Sequence, residues 1–290
     1  MSSNDWVIVL AAGEGARIGA LTTDGRGVTI PKQYWAPKGG RPMLSWTLER
    51  AGKLAPHDRI ITVVAAQHQR WWRPLLGAIP APSVVVQPRN RGTAAGILLP
   101  LLHVLARDRY AAVAILPSDH YVADESTIVR GMTRGLELLR RGTEIVLLGI
   151  TPDGPDQEYG WVLCDGEDGD GTRRVVSFFE KPGPDLARRL HRSGALWSSF
   201  MLAAHGRSLL SLFGVTLPDL LERFLASMRE ERWTPEELDR LYDELPHHDF
   251  SRDVLQRGAG RLRMLEIPSC GWSDLGTPRR LTEWLAATTG

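Results

Sequence analysis

An α/β fold is what this sequence predicts, with a Rossmann-like sheet that is mixed but mostly parallel and carries helices on both faces. Three observations predict it. Short β-rich runs alternate with longer helical patterns through the first half of the chain. These runs are continuously apolar, AAVAIL being the clearest, as strands are when helices cover both sides of the sheet. Small and charged residues gather where the runs end, at the edge where open α/β sheets hold ligands.

WVIVLAAG is the first strand, MLSWTLERAGKL a helix, RIITVVAA and SVVVQP two further strands, TAAGILLPLLHVLARD a helix and AAVAILPSD the next strand. Asp124 precedes the run ESTIV and reads as its helix cap. After the apolar run EIVLLGI the pattern changes. EYGWVLCD and TRRVVSFFEKP, separated by the turn DGEDGDG, read as an antiparallel pair set on the side. LPDLLERFLASM and TPEELDRLYDEL are helical, with Pro235 suited to a first helical position after Thr234, and LRMLEIP returns as a strand. No repeat or long linker interrupts the chain, which reads as one domain over 1–290.

With 43% hydrophobic and 24% charged residues among 290, the chain can bury a substantial core. A formal net charge of +1 gives no broad attraction to nucleic acid or to an anionic membrane, so neither is an expected partner and any anion site must be assembled locally. The start, MSSNDW, lacks a basic region, and no apolar stretch approaches the roughly 18 residues of a membrane span. A cytoplasmic location is expected. Cys164 and Cys270 are too few for a zinc cluster and read as reduced thiols.

The stretch VLAAGEGARIG is a glycine turn after a strand, yet Gly13, Gly15 and Gly19 miss the G-x-G-x-x-G spacing, and no Lys-Ser or Lys-Thr completes a P-loop. Small residues there let backbone N–H groups approach a phosphate or base, and Arg17 with Lys32 could hold a triphosphate. Asp119 directly follows a strand, where a carboxylate suits magnesium, and Asp274 in GWSDLGT is the best second acid. His120 reads as a histidine satisfied by neighbouring backbone; His247, His248 and Asp249 lack metal-site spacing and read as a solvated loop. Glu180 and Lys181 offer an acceptor and a cation to a polyol and its phosphate, and Tyr159 with Gly160 could present backbone to a sugar.

Taken in order, LAAGEGAR, PKQYW, QPRNRGTA, LPSDH, EYGW, FEKP and GWSDLG resemble the nucleotidyltransferases that make sugar nucleotides, most closely the mannose-1-phosphate guanylyltransferases. The resemblance runs from about Val7 to Gly276. It implies the nucleotide-diphospho-sugar transferase type of fold, with a nucleotide-binding half over about 1–125 and a sugar-phosphate half over about 126–290. It implies that Leu10, Ala11, Ala12, Gly13, Glu14, Gly15, Gln87, Gly92 and Thr93 surround the nucleotide. Arg17, Lys32 and Lys181 would be the catalytic cations, the first two on the nucleotide phosphates. Asp119 and Asp274 would hold Mg2+, and Tyr159, Gly160, Glu180, Lys181 and Ser198 would receive the sugar phosphate. The implied reaction is in-line attack by a sugar 1-phosphate oxygen on the α-phosphorus of a nucleoside triphosphate, with pyrophosphate leaving.

Four departures bear on the substrates and assembly. Ala16 stands where the family carries Thr or Ser, and Gln87 stands where guanylyl enzymes commonly carry an acid. The family's W-N-S-G segment reads WSSF, so Ser198 replaces an Asn. Nothing after Gly276 is long enough for the C-terminal left-handed β-helix of many relatives, and a homo-oligomer stays an open expectation. The expected reaction joins GTP and mannose 1-phosphate into GDP-mannose. The alternatives are another hexose 1-phosphate with dTTP or UTP, and a non-catalytic nucleotide-binding subunit.

Overall fold

The computed structural model describes residues 4–37, 40–77, 83–228 and 232–287. The first half alternates as its sequence pattern requires: β1 (Asp5–Ala11), α1 (Met43–Gly52), β2 (Ile60–Ala65), α2 (Gln69–Leu76), β3 (Val84–Gln87), α3 (Gly92–Arg107) and β4 (Ala112–Pro117). Next come α4 (Glu125–Leu139), β5 (Ile145–Ile150), β6 (Gly160–Glu167), β7 (Arg173–Glu180), α5 (Pro184–Arg192) and β8 (Leu196–His205). The chain continues through α6 (Gly206–Thr216), α7 (Pro218–Ser227), α8 (Pro235–Glu244), β9 (Arg263–Ile267) and α9 (Pro278–Ala287).

All nine described strands join one sheet in the order β3-β2-β1-β4-β8-β5-β9-β7-β6, and β6 also pairs with β8. That last pairing closes β8, β5, β9, β7 and β6 into a small barrel beside the open parallel part. The sheet is therefore mixed, but not mostly parallel: of its nine described pairings, four are parallel and five antiparallel. The reason is β8. It lies between β4 and β5 and runs antiparallel to both, so two strands linked by a helix never touch each other.

Helices cover both faces, as expected. Side chains alternate along a strand, so Ile8 of β1 faces one way and Val7 and Val9 the other. Ile8, Val113 and Leu202 pack with Leu98 of α3, Phe213 of α6 and Phe224 of α7. Val7, Val9 and Leu116 pack with Leu44 of α1 and Ile128 and Met132 of α4. With both faces buried there is no solvent side to demand polar residues, which is why the strands read as continuous apolar runs.

Local signals hold where their chemistry is local. Asp124 caps α4 by accepting from the Ser126 and Thr127 amides at 3.0 and 3.3 Å. Thr234 and Glu237 form a reciprocal capping box at the start of α8, with Pro235 in its first turn. The hairpin around DGEDGDG is β6 and β7.

Candidate active site

The carboxyl ends of β1 and β3 and the start of α3 enclose a cavity of about 160 Å³. Leu10, Ala12, Gly13, Gln87, Gly92 and Thr93 all line it, so folding brings six of the expected nucleotide contacts to one wall. Ala11 is turned into the core, and its carbonyl accepts from Gln33 Nε2 at 3.0 Å and the Tyr34 hydroxyl at 2.7 Å. Gln33 Nε2 also donates to the Gly13 carbonyl at 2.7 Å, so the PKQYW segment fastens the glycine turn from behind. Gly15, at φ 63°, has no room for a side chain: a Cβ would lie 3.1 Å from the Lys32 amide nitrogen. The Ala16 side chain lies outside the described residues.

Asn90, His247 and Asp249 also line the cavity. Asn90 receives the Gly92 amide on Oδ1 at 2.8 Å and donates from Nδ2 to Glu14 at 3.3 Å, joining the glycine turn to α3. His247 and Asp249 form part of the wall. The expectation of a solvated loop here is corrected: His248 accepts from the Ala94 amide at 3.1 Å and donates to the Arg91 carbonyl at 3.2 Å, and Phe250 donates to Thr93 Oγ1 at 2.7 Å. This docking needs Gly92. At φ 85° it is in the left-handed region, and a Cβ there would overlap the His248 carbonyl oxygen.

Gln87 is buried, with Nε2 donating to the Arg89 carbonyl at 2.8 Å. Its Oε1 is buried without a hydrogen-bond partner and lies 3.2 Å from where a Cβ on Gly96 would stand. Gln87 and Gly96 both line the cavity, so an unsatisfied acceptor lies in its wall.

Beyond the turn, Lys32 is the hub. Its buried ammonium lies 2.8 Å from Asp119 Oδ2 and donates to the Asp274 main-chain carbonyl at 2.5 Å. Burial pushes the Asp119 carboxyl up, but the charge of Lys32 and its hydrogen bond outweigh this, and the net shift is down. Burial lowers the His120 pKa. The indole N–H of Trp272, a donor only, points at His120 Nδ1 at 3.3 Å, which leaves the ring proton on Nε2, 3.7 Å from Asp119 Oδ1. A side-chain partner therefore sits where backbone satisfaction was expected.

The Asp274 carboxylate accepts from the Gly276 amide at 2.8 Å and lies 3.1 Å from Arg280 Nη2. Arg280, buried on α9, also holds Asp156 at 2.9 Å and stacks over the Tyr159 ring at 4.2 Å. Arg17 is paired with Glu158 at 2.7 Å, both about half exposed, a weak contact that a phosphate can replace. An Arg17 nitrogen and Asp274 Oδ2 both crowd the place where a Gly276 side chain would begin, at 3.0 and 2.5 Å. Among the described residues no group of three or more His, Cys, Asp or Glu side chains converges as a metal cage. Asp119 and Asp274 are hard oxygen donors of the kind magnesium takes beside water and substrate phosphates, and Lys32 touches both residues, Asp274 through its main-chain carbonyl.

On the barrel side, the β6–β7 register sets Gly160 opposite Glu180. A Cβ on Gly160 would come 2.9 Å from Glu180 Oε2, and Lys181 Nζ lies 4.0 Å from Glu180 Oε1. Burial, and then the charge of Asp249, push the Glu180 carboxyl up to about 7. Asp249 thus links the cavity electrostatically to Glu180. Tyr159 contributes only its backbone to this side, because its ring is buried between Trp197 and Trp272. Ser198 Oγ accepts from the Phe200 amide at 3.3 Å. The described non-glycine residues with positive φ are Lys181, Phe200 and Leu275, at 48°, 62° and 45°. One falls in each of FEKP, WSSF and GWSDLG. Such backbone strain, about 1–3 kcal/mol each, gathers where a site over-determines the chain.

Residues 6–289 match the family model described as Nucleotidyl transferase. The chain is similar to the xanthan biosynthesis protein XanB of Xanthomonas campestris pv. campestris, 27% identical over 280 residues, 93% of this chain and 57% of that protein. It is also similar to the mannose-1-phosphate guanylyltransferase ManC of Salmonella typhimurium, 27% identical over 300 residues, 97% of this chain and 59% of that protein. It spans a little over half the length of these curated relatives. A solved structure described as mannose-1-phosphate geranyltransferase from Thermus thermophilus superposes with a TM-score of 0.80 at 27% identity, covering 98% of this chain and 79% of that one. No described helix is long and apolar enough to cross a membrane.

Proposed function

From the premise that the chain belongs to the nucleotidyl transferase family, we propose that it transfers a nucleotidyl group from GTP to mannose 1-phosphate, giving GDP-mannose and pyrophosphate. The observation that carries this reading is the buried Lys32, paired with Asp119 and with the Asp274 main chain directly behind the glycine turn. A fixed cation there meets the phosphates of a nucleotide whose base enters the cavity beside Gln87. A phosphate oxygen of the sugar 1-phosphate bonds to the α-phosphorus, and the bond from that phosphorus to the pyrophosphate oxygen breaks.

Lys32 and Arg17 neutralise the nucleotide phosphates and Lys181 the attacking one, so two anionic reactants can meet in line. Glu180 accepts from a sugar hydroxyl. Asp119 and Asp274 are the residues that would hold magnesium, whose positive charge, when bound, would join those of Lys32, Arg17 and Lys181 in offsetting the negative charge that builds at phosphorus. The similarity to a relative named mannose-1-phosphate guanylyltransferase supports the choice of GTP and mannose 1-phosphate.

Gln87 favours a second reading. With Nε2 tied to Arg89, the unpartnered Oε1 offers one acceptor, which suits the single imide N–H of uracil or thymine as well as a donor of guanine. Transfer from UTP or dTTP to another hexose 1-phosphate is therefore the alternative. A binder without turnover would have no use for Lys32, Lys181 and two acids at once. Pyrophosphate release with magnesium, measured across nucleoside triphosphates and hexose 1-phosphates, tests all three: release is expected with GTP and mannose 1-phosphate. A preference for UTP or dTTP overturns the nucleotide, and no release from folded protein with any pair leaves only the binder.

A further inference from the structure

Phe200 occupies a backbone conformation that a bulky side chain adopts only under strain, at φ 62°. Glycine takes that conformation freely. The local cause is a bulge in β8. Leu147 of β5 pairs with Leu202 but Gly149 pairs with Ser198, so β8 spends two extra residues over the same stretch. Ser199 locks the bulge by donating to the Leu148 carbonyl at 2.8 Å and accepting from the Met201 amide at 3.2 Å. Ser198 closes it by accepting the Phe200 amide.

The bulge stands at the functional edge of the sheet. The last β4–β8 pairing is Ile115 with Leu202, so the residues before Leu202 lie over the carboxyl end of β4, which leads into Ser118 and Asp119. The half-buried Phe200 ring meets Phe250 edge-on at 5.9 Å, and Phe250 follows Asp249 in the cavity wall. The ring thus packs on Phe250, whose neighbours Asp249 and Ser251 both act on Glu180, and its backbone is tied to Ser198.

We propose that Phe200 is a specificity-determining residue of the sugar half: its ring fills space that a glycine would leave open, limiting the acceptor to unsubstituted hexose 1-phosphates and excluding N-acetylated ones. The inference rests on the reading of the chain as a nucleotidyltransferase for sugar 1-phosphates. An N-acetyl group adds several heavy atoms, and beside this ring they could be admitted only by displacing it against Phe250. The strained backbone keeps the ring where it is.

The test is calorimetric binding of mannose 1-phosphate and N-acetylglucosamine 1-phosphate, with magnesium, to the parent chain, Phe200→Gly and Phe200→Ala. Glycine relieves the strain and alanine keeps Cβ without the ring, so loss of fold in one variant leaves the other. The parent is expected to favour mannose 1-phosphate by at least about tenfold, and both variants to reduce that ratio by about fivefold or more. Affinity for a non-hydrolysable GTP analogue should stay the same. An unchanged ratio, no binding of either sugar phosphate by the parent, or an equal loss of nucleotide affinity overturns the assignment. Pyrophosphate release is read separately: an altered ratio without turnover defeats the proposed reaction and leaves the role of Phe200 standing.

Discussion

The ammonium of Lys32 lies 2.8 Å from Asp119 Oδ2, with 5% of the lysine side chain open to water and 38% of the aspartate. The cation is therefore held in place while its partner still faces the cleft, an arrangement that leaves one carboxylate oxygen for other work. Lys32→Met keeps the stem and removes the charge. Pyrophosphate release should fall by about 10²–10³-fold, the usual loss for one preorganised electrostatic group. The melting temperature should change little, because Asp119 can hydrate. A steady-state assay beside a thermal melt checks both, and retained turnover would remove Lys32 from the chemistry.

Glu180 predicts a pH dependence whose sign follows from its raised pKa. It ionises near 4.5 in the unfolded chain and near 7 in the folded one, raised by burial and then by Asp249. Between those values the native state binds more protons than the unfolded state, so stability falls as pH rises through the window and levels off above it. Glu180→Gln should flatten this slope. Asp249→Asn removes the second cause and should move the upper end of the window to lower pH. Chemical denaturation at stepped pH measures it; a parent chain whose stability rises from pH 4.5 to 7 would contradict the assignment.

Gly92→Ala should damage the nucleotide cavity through backbone alone. The new Cβ would overlap the His248 carbonyl oxygen and would be held at φ 85°. A loss of at least about 2 kcal/mol is expected, roughly 4–8 °C in melting temperature. Nucleotide affinity should fall in parallel as His247 and Asp249 move away. A variant that melts with the parent and binds nucleotide normally would show that the 247–249 segment does not need this docking.

What the sequence makes legible is what sits within a few residues of a strand end. Leu10, Ala12, Gly13 and Gln87 end or follow β1 and β3, and the apolar runs announce those strands. His247 and Asp249 read as a solvated loop because their place depends on a missing side chain at Gly92, far away in sequence. Arg280 belongs to no motif in the sequence, and only folding buries it against Asp156 and Asp274. β8 is hidden by its own bulge: Ser198 and Ser199 interrupt the apolar run, and their hydroxyls are satisfied only by neighbouring backbone. With β8 unread, its antiparallel pairings and the barrel cannot be inferred, and a mostly parallel sheet is the natural extrapolation.

Asp274→Asn tests the candidate metal pair without breaking the fold, since Arg280 keeps Asp156. Manganese, used in place of magnesium so that binding is visible by electron paramagnetic resonance, should bind at least about tenfold more weakly, as should Asp119→Asn. Turnover should fall with it. Full manganese affinity in both variants would place the ion elsewhere.

Gln87→Glu addresses the base. The glutamine offers one free acceptor, because its amide nitrogen is tied to the Arg89 carbonyl. A carboxylate would offer acceptors on both oxygens, and two donors on one edge belong to guanine rather than to uracil or thymine. One of those oxygens would face the Arg89 carbonyl, so the buried acid needs the base to compensate it. The variant should therefore lose stability without nucleotide and regain it with GTP more than with UTP. The GTP to UTP ratio of kcat/KM should rise by about tenfold, the discrimination one well-placed hydrogen-bonding group provides. Thermal melts with each nucleotide and paired kinetics read the two effects. If the ratio moves toward UTP instead, Gln87 does not face the base edge, and the base is recognised by another part of the cavity, with Asn90 and His247 the next residues to vary.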